Sequence, residues 1–378
     1  MNFVLNEDQS ALAESLSRLL ADRYAFEKRR SLPARGAAHD AQAWAGLAEL
    51  GITALPLPET HGGFGGGARD LLPVMQSLGR ALSLEPFLGS VVLAATAVRL
   101  GASDAMQDTL LPGVAIGERV LAFAHDEPAG RHAPLWIETR AERKGGRWLL
   151  TGSKSPVLGL GIAKQVVVTA RVGGEPGDAE GCALFLVDTG APGVAAREFR
   201  LVDDSAAGEM TLHDAPGEPL ADPFDSTRAR RAIEGTVNAG IAAACADMLG
   251  ASEAAFDLAM DYLRTRKQFG RLIGENQALR HRAADMLVSL EMVRSMAIAA
   301  AVAADDPDSA DSRADLHSAK LSVGRNARLV AHGAIQLHGG IGMTEEYAVG
   351  HSLRRIHVMD QLFGDADAHA SRLAAALA

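Results

Sequence analysis

The texture of this chain changes twice along its length, and no other feature limits the fold as strongly. From Asn6 to about Gly117 the apolar residues keep helical spacing: Leu12, Leu16, Leu19 and Leu20 recur at three- and four-residue steps and share one face. Pro56, Pro58 and the run from His61 to Gly67 interrupt this zone with a loop, and helices resume at Asp70–Leu82 and about Ser90–Leu100. From about Arg119 to Pro223 short β-branched runs take over, Gln165–Thr169 and Leu184–Val187. Turns at Gly145-Gly146, Gly173-Gly174, Pro176-Gly177 and Pro192-Gly193 separate the runs. From Asp225 onward the chain is helical again. Met286, Leu290, Val293 and Ala297 form an apolar stripe, and a further helix over Ala314–His338 is ended by Gly339, Gly340 and Gly342.

This order predicts an α+β multidomain protein: an α-helical domain over residues 1–117, a central β domain of sandwich or barrel type over 118–224, and a C-terminal α-helical bundle over 225–378. The 378 residues suffice for cores of that number. Strands and helices do not alternate, no GxGxxG follows a strand and no GxxxxGK[ST] occurs, so the usual phosphate-binding loops are excluded.

Composition narrows the function classes. The net charge of -10, without basic stripes, argues against nucleic acid. Two distant cysteines, Cys182 and Cys245, exclude a disulfide framework and a cysteine zinc site, and suggest a reducing compartment. The N-terminal stretch is acidic and amphipathic, unlike a signal peptide, and the longest apolar runs (Ser90–Val98, Met296–Ala304) fall short of a bilayer. A cytoplasmic protein without a membrane span is expected. His125, His338, His351 and His357 lack metal-ligand spacing, so no metal site is expected, and no GxSxG elbow supports serine hydrolysis.

Two motifs carry chemistry. Arg266-Lys267-Gln268-Phe269-Gly270, with Gln277 just after it, combines a cation, an amide and an aromatic ring between two long helices. Such a set suits a pyrophosphate and an adenine, and equally a solvated turn with Phe269 in the core. Gln336-Leu337-His338-Gly339-Gly340-Ile341-Gly342 permits close backbone approach to a ligand, and equally a helix C-cap.

Taken together, in this order and spacing, the motifs resemble those of the acyl-CoA dehydrogenase family of flavoproteins. The likeness extends to Leu50-Gly51-Ile52 through Gly62-Gly63, to Glu127-Pro128-Ala129-Gly130, to Leu150-Thr151-Gly152-Ser153-Lys154 and to Gln336–Tyr347. His351–Arg355 followed by Phe363-Gly364-Asp365-Ala366-Asp367 is similar to the divergent branch that includes small subunits of dicarboxylyl-CoA and steroid side-chain dehydrogenases. The resemblance implies a C-terminal four-helix bundle, a tetramer arranged as a dimer of dimers, and FAD. It further implies α,β-dehydrogenation of an acyl-CoA, with electrons passing to an electron-transfer flavoprotein, in fatty acid or steroid catabolism. By motif, Arg266, Gln268, Phe269, Gln277, Gln336, Gly339 and Gly340 would hold the pyrophosphate and adenine region of a partner's FAD, and Phe123 and Asp126 would stand at the flavin ring.

The sequence departs from the family at the base. The usual glutamate position holds Phe363, the alternative family position holds Gly240, and Glu234 lies six residues earlier, on a different helix face. Asp365 is the candidate that remains nearby, one methylene shorter. Asp126 stands where the family commonly has threonine, and Pro156-Val157-Leu158 replaces Trp-Ile-Thr. Three readings follow: a dehydrogenase using Asp365, a base-deficient partner subunit that completes another chain's FAD site, or a flavin-free CoA-ester binding protein.

Overall fold

A computed structural model describes residues 7–377; the first six residues of the amphipathic N-terminal stretch and Ala378 lie outside it. The helices α1 (Glu7–Arg23), α2 (Phe26–Ala34), α3 (Ala41–Glu49) and α4 (Ala68–Arg80) come first. A π-helical turn over Leu88–Ala94 then runs into α5 (Ala95–Gly101), followed by α6 (Asp104–Ala115). Seven strands follow: β1 (Leu121–Ala124), β2 (Arg140–Lys144), β3 (Arg147–Leu158), β4 (Gln165–Arg171), β5 (Cys182–Asp188), β6 (Val194–Arg200) and β7 (Ala206–Pro219). The chain then forms α7 (Ser226–Thr265), a small hairpin of β8 (Lys267–Gln268) and β9 (Arg271–Leu272), α8 (Gln277–Asp305), α9 (Ser312–His338), α10 (Ala348–Gln361) and α11 (Ala366–Leu377). The α-β-α order expected from the sequence is observed. The residues group into two compact units, one of Leu32–Gly67 with Leu84–Gly240 and one of the N-terminal residues to Ser31, Ala68–Ser83 and Ile241 onward.

In the first of these units the strands close on themselves. β4 pairs β5, β5 pairs β7, β7 pairs β3, β3 pairs β2, and β2 returns to β4 through Arg140 and Arg171. The sandwich-or-barrel expectation therefore resolves as a closed ring, with β1 added parallel to β4 and β6 added to β7. Alternation fills the interior: Val166, Val168 and Ala170 of β4 face Phe185, Val187, Leu150, Met210 and Leu212 in one core, while Val167 and Thr169 turn to the other side. Gly152 is required by close approach, because a Cβ there would lie 2.4 Å from Oγ1 of Thr139.

In the other unit Met286, Leu290, Val293 and Ala297 of α8 are buried, as their spacing predicts. They pack beside α9, whose buried face carries Leu316, Ala319, Val323, Ala327 and Val330. The helices approach closely where side chains are absent: a Cβ on Gly79 of α4 would come within 2.1 Å of the Asp247 carbonyl oxygen, and one on Gly250 of α7 within 1.8 Å of that of Gln76. Arg355 of α10 and Asp247 of α7, both buried, form a two-point ion pair at 2.8 and 2.7 Å. α8 also contains an 18-residue window of mean hydropathy 1.7, long and apolar enough by composition to cross a membrane. Uninterrupted apolar runs missed it because charged residues punctuate the helix. Its stripe is packed within the unit, and Leu287, Val288 and Met292 remain exposed on its outer side.

The α4–α7 crossing makes a stability prediction. Gly250→Ala should destabilise the protein by about 1–3 kcal/mol in urea or thermal unfolding, because the new methyl meets backbone rather than a movable side chain. Gly173→Ala, where an added Cβ meets nothing within 4 Å, should leave the transition in place.

Candidate functional site

The residues singled out by motif divide between the two units. On the strand side, β1 places Ala122 and Ala124 in the barrel core, so Phe123 and His125 share the opposite face. Their rings stack at 5.5 Å with an interplanar angle of 17°. Beneath them lies a buried polar network. The Lys154 ammonium donates to Glu127 Oε1 at 2.7 Å, to Thr169 Oγ1 at 3.0 Å and to the His125 carbonyl oxygen at 3.2 Å. Glu127 also accepts from the backbone N–H of Glu138 and Thr139 and from the Thr139 hydroxyl. Burial pushes the Glu127 carboxyl up, but Lys154 and these hydrogen bonds outweigh it and hold the group below its usual range. Thr169 Oγ1, which accepts from Lys154, also shares a hydrogen bond with His125 Nδ1, 3.1 Å away. Burial, aided by Lys154, lowers His125 to about 3, so the ring is neutral. Asp126 is half-buried at the strand exit, and burial raises its carboxyl against the pull of His132 and Lys154.

Two parts of this network lay inside motifs read from the sequence, yet their pairing was missed. A lysine and a glutamate set within the β zone's apolar runs were the available signal. The LTGSK segment now has a physical reading: Gly152 lets β3 pass Thr139, and Lys154 closes the ion pair.

On the helical side, Arg266, Gln268 and Phe269 lie on the hairpin that follows α7. Phe269 sits at its tip with φ 52° and a fully exposed ring, 101% of its reference area. Of the two readings left open for this motif, the one with Phe269 in a core does not hold: the tight β8–β9 reversal lifts the ring into solvent. The Gln268 amide, turned with its oxygen toward Arg266, accepts from Arg266 Nη2 at 2.7 Å. Gln277 is exposed at the first turn of α8. Gln336, Gly339 and Gly340 are exposed at the end of α9. Gly339 adopts φ 65° and ψ -142°, a conformation open essentially to glycine, and a Cβ on it or on Gly340 would meet nothing within 4 Å. A guanidinium with its amide partner, a bare ring and open glycine backbone form a donor set suited to a dinucleotide's phosphates and base.

Neither residue expected at the base positions is a carboxylate. Gly240 lies buried within α7, and Phe363 occupies the turn between α10 and α11 with φ 63°. Asp365 directly precedes α11, and its Oδ1 accepts from the Ala368 N–H at 2.8 Å, so it is the N-cap of that helix. Asp360 is sealed: its carboxylate is buried, 3.9 Å from Lys320 and 3.6 Å from Arg328, without a hydrogen bond to either oxygen. Lys320 donates to the carbonyl oxygens of Asp360 at 2.7 Å and Gly364 at 2.8 Å, which clamps the turn from below. The histidines that invited a metal reading have separate partners: Thr169 for His125, Tyr347 for His338, Arg29 for His351 and the His332 ring for His357.

Known proteins give this geometry its context. Family models described as the N-terminal, middle and C-terminal domains of acyl-CoA dehydrogenase match residues 6–118, 122–215 and 230–378. The chain is 29% identical over 356 residues to acyl-CoA dehydrogenase fadE12 of Mycobacterium tuberculosis, covering 92% of this chain and 90% of the relative. It is 30% identical over 335 residues to acyl-CoA dehydrogenase FadE27 of the same species, covering 85% and 84%. Among solved structures, the ChsE4-ChsE5 complex from Mycobacterium tuberculosis matches with a TM-score of 0.87 and 25% identity, covering 100% of this chain and 99% of that one.

The site generates two predictions. Asp365→Ala should cost about 1 kcal/mol of stability by removing the cap, whereas Asp365→Asn, which keeps a capping oxygen, should hold the thermal midpoint. His125 has a folded pKa of about 3, below its unfolded value near 6.5. The unfolded state therefore takes up the proton first, and stability is full above 6.5 and falls as pH drops below it. Between pH 7 and 5 that amounts to about 2 kcal/mol from this group, and His125→Gln should flatten the dependence in urea titrations at the two pH values.

Proposed function

Since the chain belongs to the acyl-CoA dehydrogenase family, we propose that it acts in the FAD-dependent α,β-dehydrogenation of a CoA thioester, as part of an oligomer. The observation that carries this reading is the undamaged adenosine-type surface: Arg266 with Gln268, the bare Phe269 ring and the open Gly339-Gly340 backbone. Bound FAD would supply the hydride acceptor. Arg266 would pair with its pyrophosphate, Phe269 would stack on its adenine, Gln277 and Gln336 would add amide contacts, and Phe123 and Asp126 would border the flavin ring. The exposed apolar residues Leu287, Val288, Met292 and Leu329 suit burial against another subunit. A small soluble electron carrier of the electron-transfer flavoprotein kind is the fitting electron acceptor, and a cytoplasmic location fits the same reading.

A thioester α-proton is weakly acidic, so its removal needs a carboxylate in a desolvated pocket. Asp365 is the candidate base of this chain, and in that role Oδ2 would take the proton while Oδ1 accepts from the Ala368 N–H that it caps. A second reading follows from that cap and from Phe363: the chain is a subunit whose surface completes a partner's FAD site while the partner carries the base. The similar ChsE4-ChsE5 structure is, by its description, a complex. A flavin-free CoA-ester binding protein is the third reading, and the intact Arg266–Phe269 surface speaks against it.

Purification separates these readings. A yellow chain bleached by an acyl-CoA supports a self-sufficient dehydrogenase. A chain that turns yellow only when co-expressed with a homologous chain supports the partner role, and one that stays colourless in both cases defeats the flavin reading. Asp365→Asn then addresses the base. Loss of turnover by about 10²–10⁴-fold assigns it to Asp365, and unchanged turnover removes Asp365 from the reaction.

A further inference from the structure

The chain has only three tyrosines, Tyr24, Tyr262 and Tyr347, and two of them flank one histidine. His338 is the last residue of α9 and is buried, 4% exposed. Its ring lies 4.5 Å from that of Tyr262, tilted by 31°, and 4.8 Å from that of Tyr347, tilted by 51°. We propose that Tyr262, His338 and Tyr347 form a positioning stack that sets the Arg266–Gly270 hairpin and the Gln336–Gly342 turn in the one relative geometry that receives the adenosine diphosphate half of FAD. This rests on the flavin reading above and adds the residues that organise the surface without touching the ligand.

The connections are direct. His338 Nδ1 lies 2.8 Å from the Ala334 carbonyl oxygen, which only accepts, so Nδ1 carries the hydrogen. Burial lowers His338 and favours the neutral ring, so Nε2 accepts from the Tyr347 hydroxyl at 3.1 Å, and the ring also bears on the Leu258 backbone of α7. The ring is thereby held by a bond inside its helix, by one to the segment beyond the glycine turn and by the Leu258 backbone of α7. Gly339 follows His338 immediately, and Gly342 packs so tightly on the His338 side chain that an added Cβ would lie 3.1 Å from its Cβ. On the other face, Tyr262 sits one turn before the hairpin, and its carbonyl oxygen accepts from the Arg266 N–H at 2.9 Å. A shift of the His338 ring is therefore felt at the glycine turn, at the start of α10 and at the backbone of Arg266.

The test uses the full chain in its native oligomer, stripped of flavin and titrated with FAD, ADP and FMN. Tyr347→Phe keeps the ring and removes the donor; it should weaken FAD and ADP binding by the same factor, about 3- to 10-fold, and leave FMN binding unchanged. His338→Ala should weaken both further, and His338→Gln, which restores an acceptor near the Nε2 position, should recover part of the loss. A merely structural stack would lower the thermal midpoint and leave the ADP affinity of the folded protein at the wild-type value; that result overturns the proposal. So does a loss of FAD affinity without an equal loss for ADP. A wild-type oligomer that binds neither FAD nor ADP defeats the flavin reading itself, and the wild-type titration alone reveals it.

Discussion

The buried ion pair of Lys154 and Glu127 is the interaction on which the strand unit most depends. Two charges removed from water are costly unless every remaining polar valence is met. Here the requirement is satisfied by the Thr139 and Thr169 hydroxyls, two backbone amides and the His125 carbonyl. Meeting it brings together β3, β4, the exit of β1 and the entry to β2. The placement of Phe123 and Asp126 follows from that arrangement, because both flank the residues that the lysine secures.

Legibility of the sequence varied with the range of the forces involved. The apolar stripe of α8 was readable from its local periodicity, and β4 and β5 from their short β-branched apolar runs, buried almost throughout. The closure of the barrel was not, since it hangs on one backbone pairing between Arg140 and Arg171. The π-turn over Leu88–Ala94 was also hidden: all seven of its residues are buried, so no face stands out from another. In the candidate site, the exposed glycines at 339 and 340 fitted their motif. The exposure of Phe269 did not show in the sequence, because a phenylalanine in solvent runs against its usual burial and only the hairpin geometry explains it.

The C-terminal unit contains two kinds of buried carboxylate. Asp247 meets a guanidinium at both oxygens and is a tie between helices. Asp360 has cations close by without a hydrogen bond, in space that exists only because residue 324 is glycine: a Cβ there would sit 2.0 Å from its Oδ1. Neither reaches solvent, so proximity in sequence to the family's base position gave no guide to accessibility.

Phe363 holds a left-handed backbone, which for a bulky residue is uncommon and disfavoured. Glutamate at the same place would face a similar backbone cost, and the turn around it is held by Lys320 and by the Asp365 cap. Both ties come from residues other than 363, so the corner has anchors that do not involve the side chain it presents. An exchange of the side chain at residue 363 therefore leaves both of these anchors in place.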